Sequence, residues 1–392
     1  MDELVVRAYN IGFGDAVLVS IPERTANAGS ITRHLLIDVG NLLVGEDNAD
    51  DVFIKVVSDI EARTNGVVDL YVMTHEHLDH VQGLLAASKA GVALSAQYAW
   101  LTGSAHPDYY ETHDDARRKR RGLVDALGDP RRLRQADSDA WLAMMVRNNS
   151  LTMTQAFALT TADYIDHLRT IAPASRTHYV DRTMDLTGKH PFEEAHLRLL
   201  APEEDTSSYY GPVLHGASLA ASAADGAPAV PAVDDLPSPP PGVAPGGYFD
   251  LVRARRDGIR QNVREIDKAN NNTSVVLEIE WSGWRLLFPG DAELKSWQMM
   301  HDLQILRPVH FVKIAHHGSH NGTLDQHIDD ILPAAGPDGR ERQALVSTHN
   351  DDWPSVPDDD TLDLYKSRAT VHDTRTVARG SHIEIKFPRT PR

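Results

Sequence analysis

The sequence predicts an α/β fold, one core carrying insertions, on three observations. Short apolar runs near the start of the chain stop at polar residues; the middle changes to helical spacing; and a Pro/Ala-rich stretch separates that middle from a second set of strand-like runs. At 392 residues the chain is long for one average domain, yet a large core with insertions accounts for the length as well as two domains would. Hydrophobic residues make up 41% of it, enough for an ordinary interior. No run approaches the ~18 apolar residues of a membrane span, so no membrane association is expected. The opening Met1-Asp2-Glu3-Leu4 shows no basic region followed by an apolar stretch, and a cytoplasmic location is the expectation.

The first strands are expected at Leu4–Tyr9 and Ala16–Ser20, joined by the turn Asn10-Ile11-Gly12-Phe13-Gly14-Asp15. Apolar runs of this length bounded by Gly and Asp read as a hairpin-like start. A third run, His34–Ile37, ends at Asp38-Val39-Gly40, and a fourth, Val67–Met73, ends at Thr74-His75. Polar groups just past strand ends are where α/β folds place chemistry.

From Asp108 to about Ile171 the apolar residues Leu123, Leu127, Trp141, Met145, Phe157, Tyr164 and Leu168 fall at helical spacing, which reads as a helical insertion. Ala217–Gly247, with Pro237-Ser238-Pro239-Pro240-Pro241, is too poor in large apolar residues to supply core and reads as a loop. A charged helix is expected from Tyr248 to Lys268. Strand patterns then resume at Ser274–Ile279, Trp284–Phe288, His310–Ile314, Gln343–Ser347 and His382–Phe387. The expected division is therefore 1–102 for the first half of the core, 103–172 for the helical insertion and 173–210 for a continuation of the core. Residues 211–261 hold the Pro/Ala-rich loop and charged helix, and 262–392 the second half of the core.

Cys is absent while His numbers 20, which removes disulfides and thiolate ligands and leaves His and Asp as metal binders. In His75-x-His77-x-Asp79-His80 one short loop supplies three imidazoles and a carboxylate. Imidazole suits Zn, Fe or Mn, and a carboxylate lowers the charge of the site and accepts a second ion. In an extended segment His75 and His77 share one side, and a turn into a helix at Val81 aims Asp79 and His80 at a neighbouring position. A helical zinc-protease motif is excluded because its second His would fall where Asp79 stands. Further on, Gly290-Asp291 delivers a carboxylate from a strand end, suited to bridging two ions, and His316-His317-Gly318-Ser319-His320 brings imidazoles to another strand end.

This order of motifs, Asp38 after a strand, His75-x-His77-x-Asp79-His80, Gly290-Asp291 and His316-His317-Gly318-Ser319, resembles the metallo-β-lactamase superfamily. More narrowly, Asn10-Ile11-Gly12-Phe13-Gly14-Asp15-Ala16, Asn270-Asn271-Asn272-Thr273-Ser274 and the His-His-Gly-Ser element resemble the metallohydrolase domain of ComEC/Rec2 competence proteins. The resemblance covers roughly 1–102 and 262–392. It implies a four-layer αβ/βα sandwich with two divalent metal ions at its upper edge, Zn foremost and Mn or Fe as alternatives. It implies that His75 and His77 hold the first ion, that Asp79, His80 and His316 hold the second, and that Asp291 bridges them. His316, nearest the strand end, is favoured over His317, which is expected beside the site. Asp38 is expected to orient the loop histidines, and Asp15 to lie near them. Two departures stand out. No motif supplies the further His that many members give the first ion, leaving His196 or His215 by position, or Asn272 as an oxygen donor. A His-Pro pair of the competence-type domain is replaced by His349-Asn350-Asp351-Asp352-Trp353-Pro354.

The implied activity is hydrolysis by water activated between two ions. Asp79 belongs to that catalytic apparatus, with His320 or Lys313 as the group assisting the departing oxygen. A phosphodiester is the expected substrate, in a phosphate-containing small molecule or a nucleic acid. Arg117-Arg118-Lys119-Arg120-Arg121, Arg131, Arg132, Arg134, Arg253, Arg255, Arg256, Arg260 and Arg264 offer bidentate phosphate contacts. The competing reading is a solvated helix face balanced by Asp114, Asp115, Asp125 and Asp129. A net charge of -17 argues against a general nucleic-acid coat protein, and sparse aromatics argue against a single-strand stacking platform. Hydrolysis of a carboxylic ester, lactone or thioester is the alternative activity. A non-catalytic binding or regulatory module is the third reading, disfavoured because His75, His77, Asp79, His80, Asp291 and His316 are all present. Nothing in the sequence points to a protein partner.

Overall fold

The computed structural model describes residues 2–25, 29–42, 49–127, 145, 148–149, 161–212, 260–322, 325–334, 338–349 and 356–389. The Pro/Ala-rich stretch, His215, Trp141, Phe157, and Arg131 to Arg134 lie outside them, as do Arg253 to Arg256. The strands are β1 (Glu3–Tyr9), β2 (Ala16–Thr25), β3 (Gly29–Val39), β4 (Val67–Met73), β5 (Ser95–Thr102), β6 (Thr177–Val180), β7 (His196–Ala201), β8 (Val276–Trp281), β9 (Trp284–Phe288), β10 (Phe311–Lys313), β11 (Gln343–Val346), β12 (Thr370–Asp373) and β13 (His382–Pro388). They form a seven-stranded sheet in the order β13-β1-β2-β3-β4-β5-β6 and a six-stranded sheet in the order β12-β11-β10-β9-β8-β7.

Strand alternation explains how the sheets stack, because successive side chains leave opposite faces. Leu4, Val6 and Ala8 of β1 and Val17, Val19 and Ile21 of β2 join Leu277, Ile279 and Trp281 of β8 and Leu286 and Phe288 of β9 in one buried cluster between the sheets. On the far face of the first sheet, Leu18, Leu36 and Tyr71 meet Phe53, Val56 and Ile60 of α1 (Ala49–Thr64), Val81 of α2 (Leu78–Val81) and Leu84 of α3 (Gly83–Lys89). On the far face of the second, Val276, Leu287 and Val312 meet Trp297 and Met300 of the helix Leu294–Asp302 and Leu362 and Tyr365 of the helix Asp359–Lys366. The molecule is thus an α/β protein with two mixed sheets and helices on both outer faces. No helix among the described residues is long and apolar enough to cross a membrane.

Parallel pairing of β3 with β4, and of β10 with β9 on one side and β11 on the other, turns several strand ends the same way. Asp38 stands next to the last residue of β3, and Thr74, Asp291, His317 and Ser347 follow the ends of β4, β9, β10 and β11. That shared direction is what gathers residues far apart in sequence.

Some elements differ from expectation. β2 and β3 run well beyond the apolar runs at 16–20 and 34–37, pairing from Ala16 with Val39 out to Thr25 with Gly29. The extension is held by polar groups: Glu23 is fully buried, and its carboxylate accepts from Arg33 and from the backbone N–H groups of Glu193, Glu194 and Ala195. The charged helix does not stop at Lys268, since residues 260–272 are helical through the asparagines. Within the expected insertion, Asp114–Leu127 and Thr161–Arg169 are helices. They pack in different places: Leu123 joins Tyr109, Tyr209 and Val263, whereas Leu168 joins the α1 layer.

Candidate metal centre

The metal loop follows β4 and is fixed by Asp38. That carboxylate, fully buried, accepts from Thr74 N at 2.8 Å, from Thr74 Oγ1 at 2.6 Å, and faces His80 Nδ1 at 2.8 Å. The backbone around it is packed without room for side chains. An ideal Cβ on Gly40 would stand 2.3 Å from the carbonyl carbon of Asp79 and 2.3 Å from His80 N, and one on Gly290 would stand 2.9 Å from Thr74 Cβ. Asp38 (φ 50°), His316 (φ 49°) and His317 (φ 54°) adopt the left-handed conformation that non-glycine residues rarely hold. Such strain persists where the surroundings overdetermine it, and it gathers at functional sites.

Four buried residues converge beyond this frame: Asp79, His80, Asp291 and His317. His80 Nε2 lies 3.2 Å from Asp291 Oδ2 and 4.0 Å from Asp79 Oδ2; His317 Nε2 lies 3.2 Å from Asp291 Oδ2 and 3.3 Å from Asp79 Oδ2. Neither ring nitrogen has a partner in hydrogen-bond geometry, nor does Asp79 Oδ1. For bonds of ~2.0 Å to a tetrahedral ion, the edge between two ligand atoms is ~3.3 Å, which three of these four separations match.

The outer nitrogens settle which lone pairs point inward. His317 Nδ1 donates to the Ser347 carbonyl at 2.8 Å, and His80 Nδ1 is engaged by Asp38, so Nε2 of each ring faces the cluster. Thr74 Oγ1 gives its hydrogen to Asp38 and so takes one from His75 Nδ1 at 3.1 Å, leaving the buried His75 Nε2 without a partner. Asn149 Oδ1 accepts from His77 Nε2 at 3.0 Å, which leaves His77 Nδ1 as the acceptor. Second partners that fix the tautomer in this way are the usual companions of metal-binding histidines.

Charge is balanced locally. Burial disfavours the charged form of His80, but Asp291, Asp79 and Asp38 hold its pKa well above the ordinary imidazole value. Burial likewise opposes the His317 charge, and Asp291, Asp79 and Asp15 push it up to about 10. Asp291 is held well below the usual range, burial being outweighed by His317, His80 and Lys313. A divalent ion in place of the two Nε2 protons would leave the net charge of this cluster unchanged, so these residues fit a metal ion. His75 is pushed well below its ordinary value by burial and then by His80 and His77.

Sequence expectation and structure part at several residues. His317 occupies the position in the cluster expected of His316; His316 Nδ1 instead lies 3.5 Å from Glu293 Oε1. Asn272 does not turn to the first ion, because its Oδ1 accepts from Ser296 N at 2.8 Å, in the first turn of the helix Leu294–Asp302. His196 is exposed on β7, and His320 has a side chain 75% exposed, 3.9 Å from Asp358. His349 Nε2 lies 2.8 Å from Arg379 Nη2. Lys313 is buried between Asp15 and Asp291, 3.3 Å from Asp291 Oδ1 and from the Gly290 carbonyl. Burial opposes its charge, but Asp15 and Asp291 raise its pKa beyond the ordinary lysine value. Its ammonium is thus held between two carboxylates. Asp15 reaches the frame as expected, its N–H donating to the Asp79 carbonyl at 3.1 Å.

Sequence reasoning missed the support behind His77. Asn149 Nδ2 donates to Asp267 at 2.8 Å, Asn270 Nδ2 donates to Asn149 Oδ1 at 2.8 Å, and Asn148 Oδ1 accepts from Leu78 N at 2.9 Å. The Asn148-Asn149 doublet was the available signal. No protein-family model and no curated protein matches the chain.

Proposed function

We propose that this chain is a metal-dependent hydrolase of the metallo-β-lactamase type, built as the four-layer αβ/βα sandwich its motifs suggest, with a phosphodiester as substrate. One observation carries the reading: Asp79, His80, Asp291 and His317 converge, with Nε2 of both rings buried and unpartnered, at separations of 3.2, 3.2 and 3.3 Å. His75 and His77 stand beside them, ring centroids 4.6 Å apart, and would hold a second ion with Asp291 shared. Bound there, divalent ions supply the acidity that activates water near neutral pH and offset charge on the scissile group. Asp79 Oδ1, buried without a partner, is open to orient a water. Lys313 keeps Asp291 ionised and in place, and Asp38 holds His80 and Thr74 in register.

The phosphodiester reading rests on Arg120. In the run Arg117 to Arg121, Arg117, Arg118 and Arg121 pair with Asp114, Asp115 and Asp125 on an exposed face, as the solvated-helix reading expects. Arg120 turns inward, its guanidinium carbon 5.0 Å from the Tyr110 ring centroid and within electrostatic reach of Glu76 in the metal loop. The test is elemental analysis combined with hydrolysis of DNA, RNA and small phosphodiesters against lactones and thioesters, for wild type, Asp79→Ala and His317→Ala. Loss of metal and of phosphodiester turnover in both variants is expected. Activity confined to lactones or thioesters would reject the substrate, and retained metal and turnover in both variants would reject the site.

A further inference from the structure

Away from the cluster at Asp79, two more imidazoles share a carboxylate. His301 lies in the last turn of the helix Leu294–Asp302, His327 ends the short turn Asp325–His327, and Asp330 lies in the following turn Ile328–Ile331. His301 Nδ1 is 2.7 Å from Asp330 Oδ2, and His327 Nδ1 is 3.7 Å from the same oxygen. The two rings lie side by side, with centroids 3.5 Å apart and planes at 32°. All three residues are partly exposed.

A hydrogen bond from His301 to Asp330 explains one of these contacts but not why His327 turns its Nδ1 to the same oxygen. One divalent ion between the two rings and the carboxylate satisfies all three groups, because neutral rings can both present lone pairs to it. The separations of 2.7 and 3.7 Å bracket the ~3.3 Å ligand–ligand edge of a tetrahedral ion with ~2.0 Å bonds. Two imidazoles and one carboxylate suit zinc or a neighbouring late first-row ion, and partial exposure leaves room for water in the remaining positions.

We propose that His301, His327 and Asp330 form a second, solvent-facing transition-metal site that takes Zn²⁺ independently of the cluster at Asp79. The site joins two stretches of chain that each continue from the inner cluster. The helix carrying His301 starts just after Asp291, and the segment holding His327 and Asp330 follows His317. An ion here ties the two together on the surface.

Zinc content after equilibrium dialysis at fixed free Zn²⁺ tests this, using full-length wild type, His327→Ala and Asp330→Asn, with thermal unfolding at and without that zinc concentration. Each variant is expected to hold one zinc equivalent fewer than wild type and to lose part of the zinc-induced rise in Tm. Asp291→Asn should lose inner-cluster zinc yet keep this equivalent, which separates the two sites. If Asp330→Asn does not fold, His327→Ala decides, since its ring is partly exposed and packs beside His301. Zinc content and zinc-induced Tm shift in His327→Ala equal to those of wild type would overturn the proposal.

Discussion

Substituting Gly40 by alanine tests whether the metal loop is held by backbone packing as well as by its ligands. The added Cβ would lie 2.3 Å from the Asp79 carbonyl carbon, where ordinary contact begins at 3.4 Å. Relief therefore needs a displacement of ~1 Å, well beyond the ~0.2 Å tolerance of metal–ligand bonds. Neither side yields easily: Gly40 N donates to the Asp15 carbonyl at 3.0 Å, and Asp15 N donates to the Asp79 carbonyl at 3.1 Å, so the opening turn, the end of β3 and the metal loop interlock. Overpacking of this kind costs ~1–3 kcal/mol, and disturbing the support of a ligand costs ~10–100-fold in metal affinity. Zinc competition against a chromophoric chelator, with urea unfolding of the metal-free protein, reads both quantities. A Gly40→Ala protein with wild-type zinc affinity and an unchanged urea midpoint would refute the interlocking.

Other substitutions probe the remaining supports. Asp38→Asn keeps the shape but weakens the acceptor for His80 and Thr74, so zinc affinity should fall ~10–100-fold with little change in helix content by circular dichroism. Lys313→Met leaves Asp15 and Asp291 buried without their cation; the metal-free protein should lose ~3–5 kcal/mol in urea unfolding, with a smaller deficit when zinc is present. Asp59 accepts from Tyr9 and Arg63, and despite the opposing effect of burial its pKa is lowered by those bonds. A depressed folded-state pKa gives stability that is present above the unfolded value of ~4 and is lost as pH falls through the folded value. Asp59→Asn should therefore lower the urea midpoint at pH 7, with the deficit shrinking as pH falls below ~4; a deficit that stays the same as pH is lowered through the acid range would count against the assignment.

Much of the candidate site was legible in the sequence because its His and Asp residues come as local patterns. His75, His77, Asp79 and His80 sit on one loop, and Asp38, Asp291 and the histidine pair each follow an apolar run, so strand ends alone located them. The choice between His316 and His317 was not legible. Both adopt left-handed backbone, which rotates the second ring into the cluster and the first toward Glu293, and alternation along an extended strand gives no hint of that turn. Asn149 and Asp267 stand 118 residues apart, and the Asn148-Asn149 doublet, the one local signal, does not say which distant residues it meets behind His77. The long hairpin of β2 and β3 was read short because its outer half alternates charged residues that find partners only in the folded protein, Glu23 with Arg33 and the 193–195 backbone foremost. Arg120 was read with its run, although packing separates it from neighbours of the same composition.

The pairing of β13 with β1, from Glu3 opposite Pro388 to Tyr9 opposite His382, has a consequence for how the molecule protects itself. β1 is hydrogen-bonded on its other side to β2, so β13 is what keeps a long, largely apolar strand from being an open edge. Until the residues after Ser381 arrive, that edge offers unpaired N–H and C=O groups to any other extended chain. Synthesis runs from β1 toward β13, so this template is made well before the strand that covers it. Self-association during folding is thus governed by when β13 arrives.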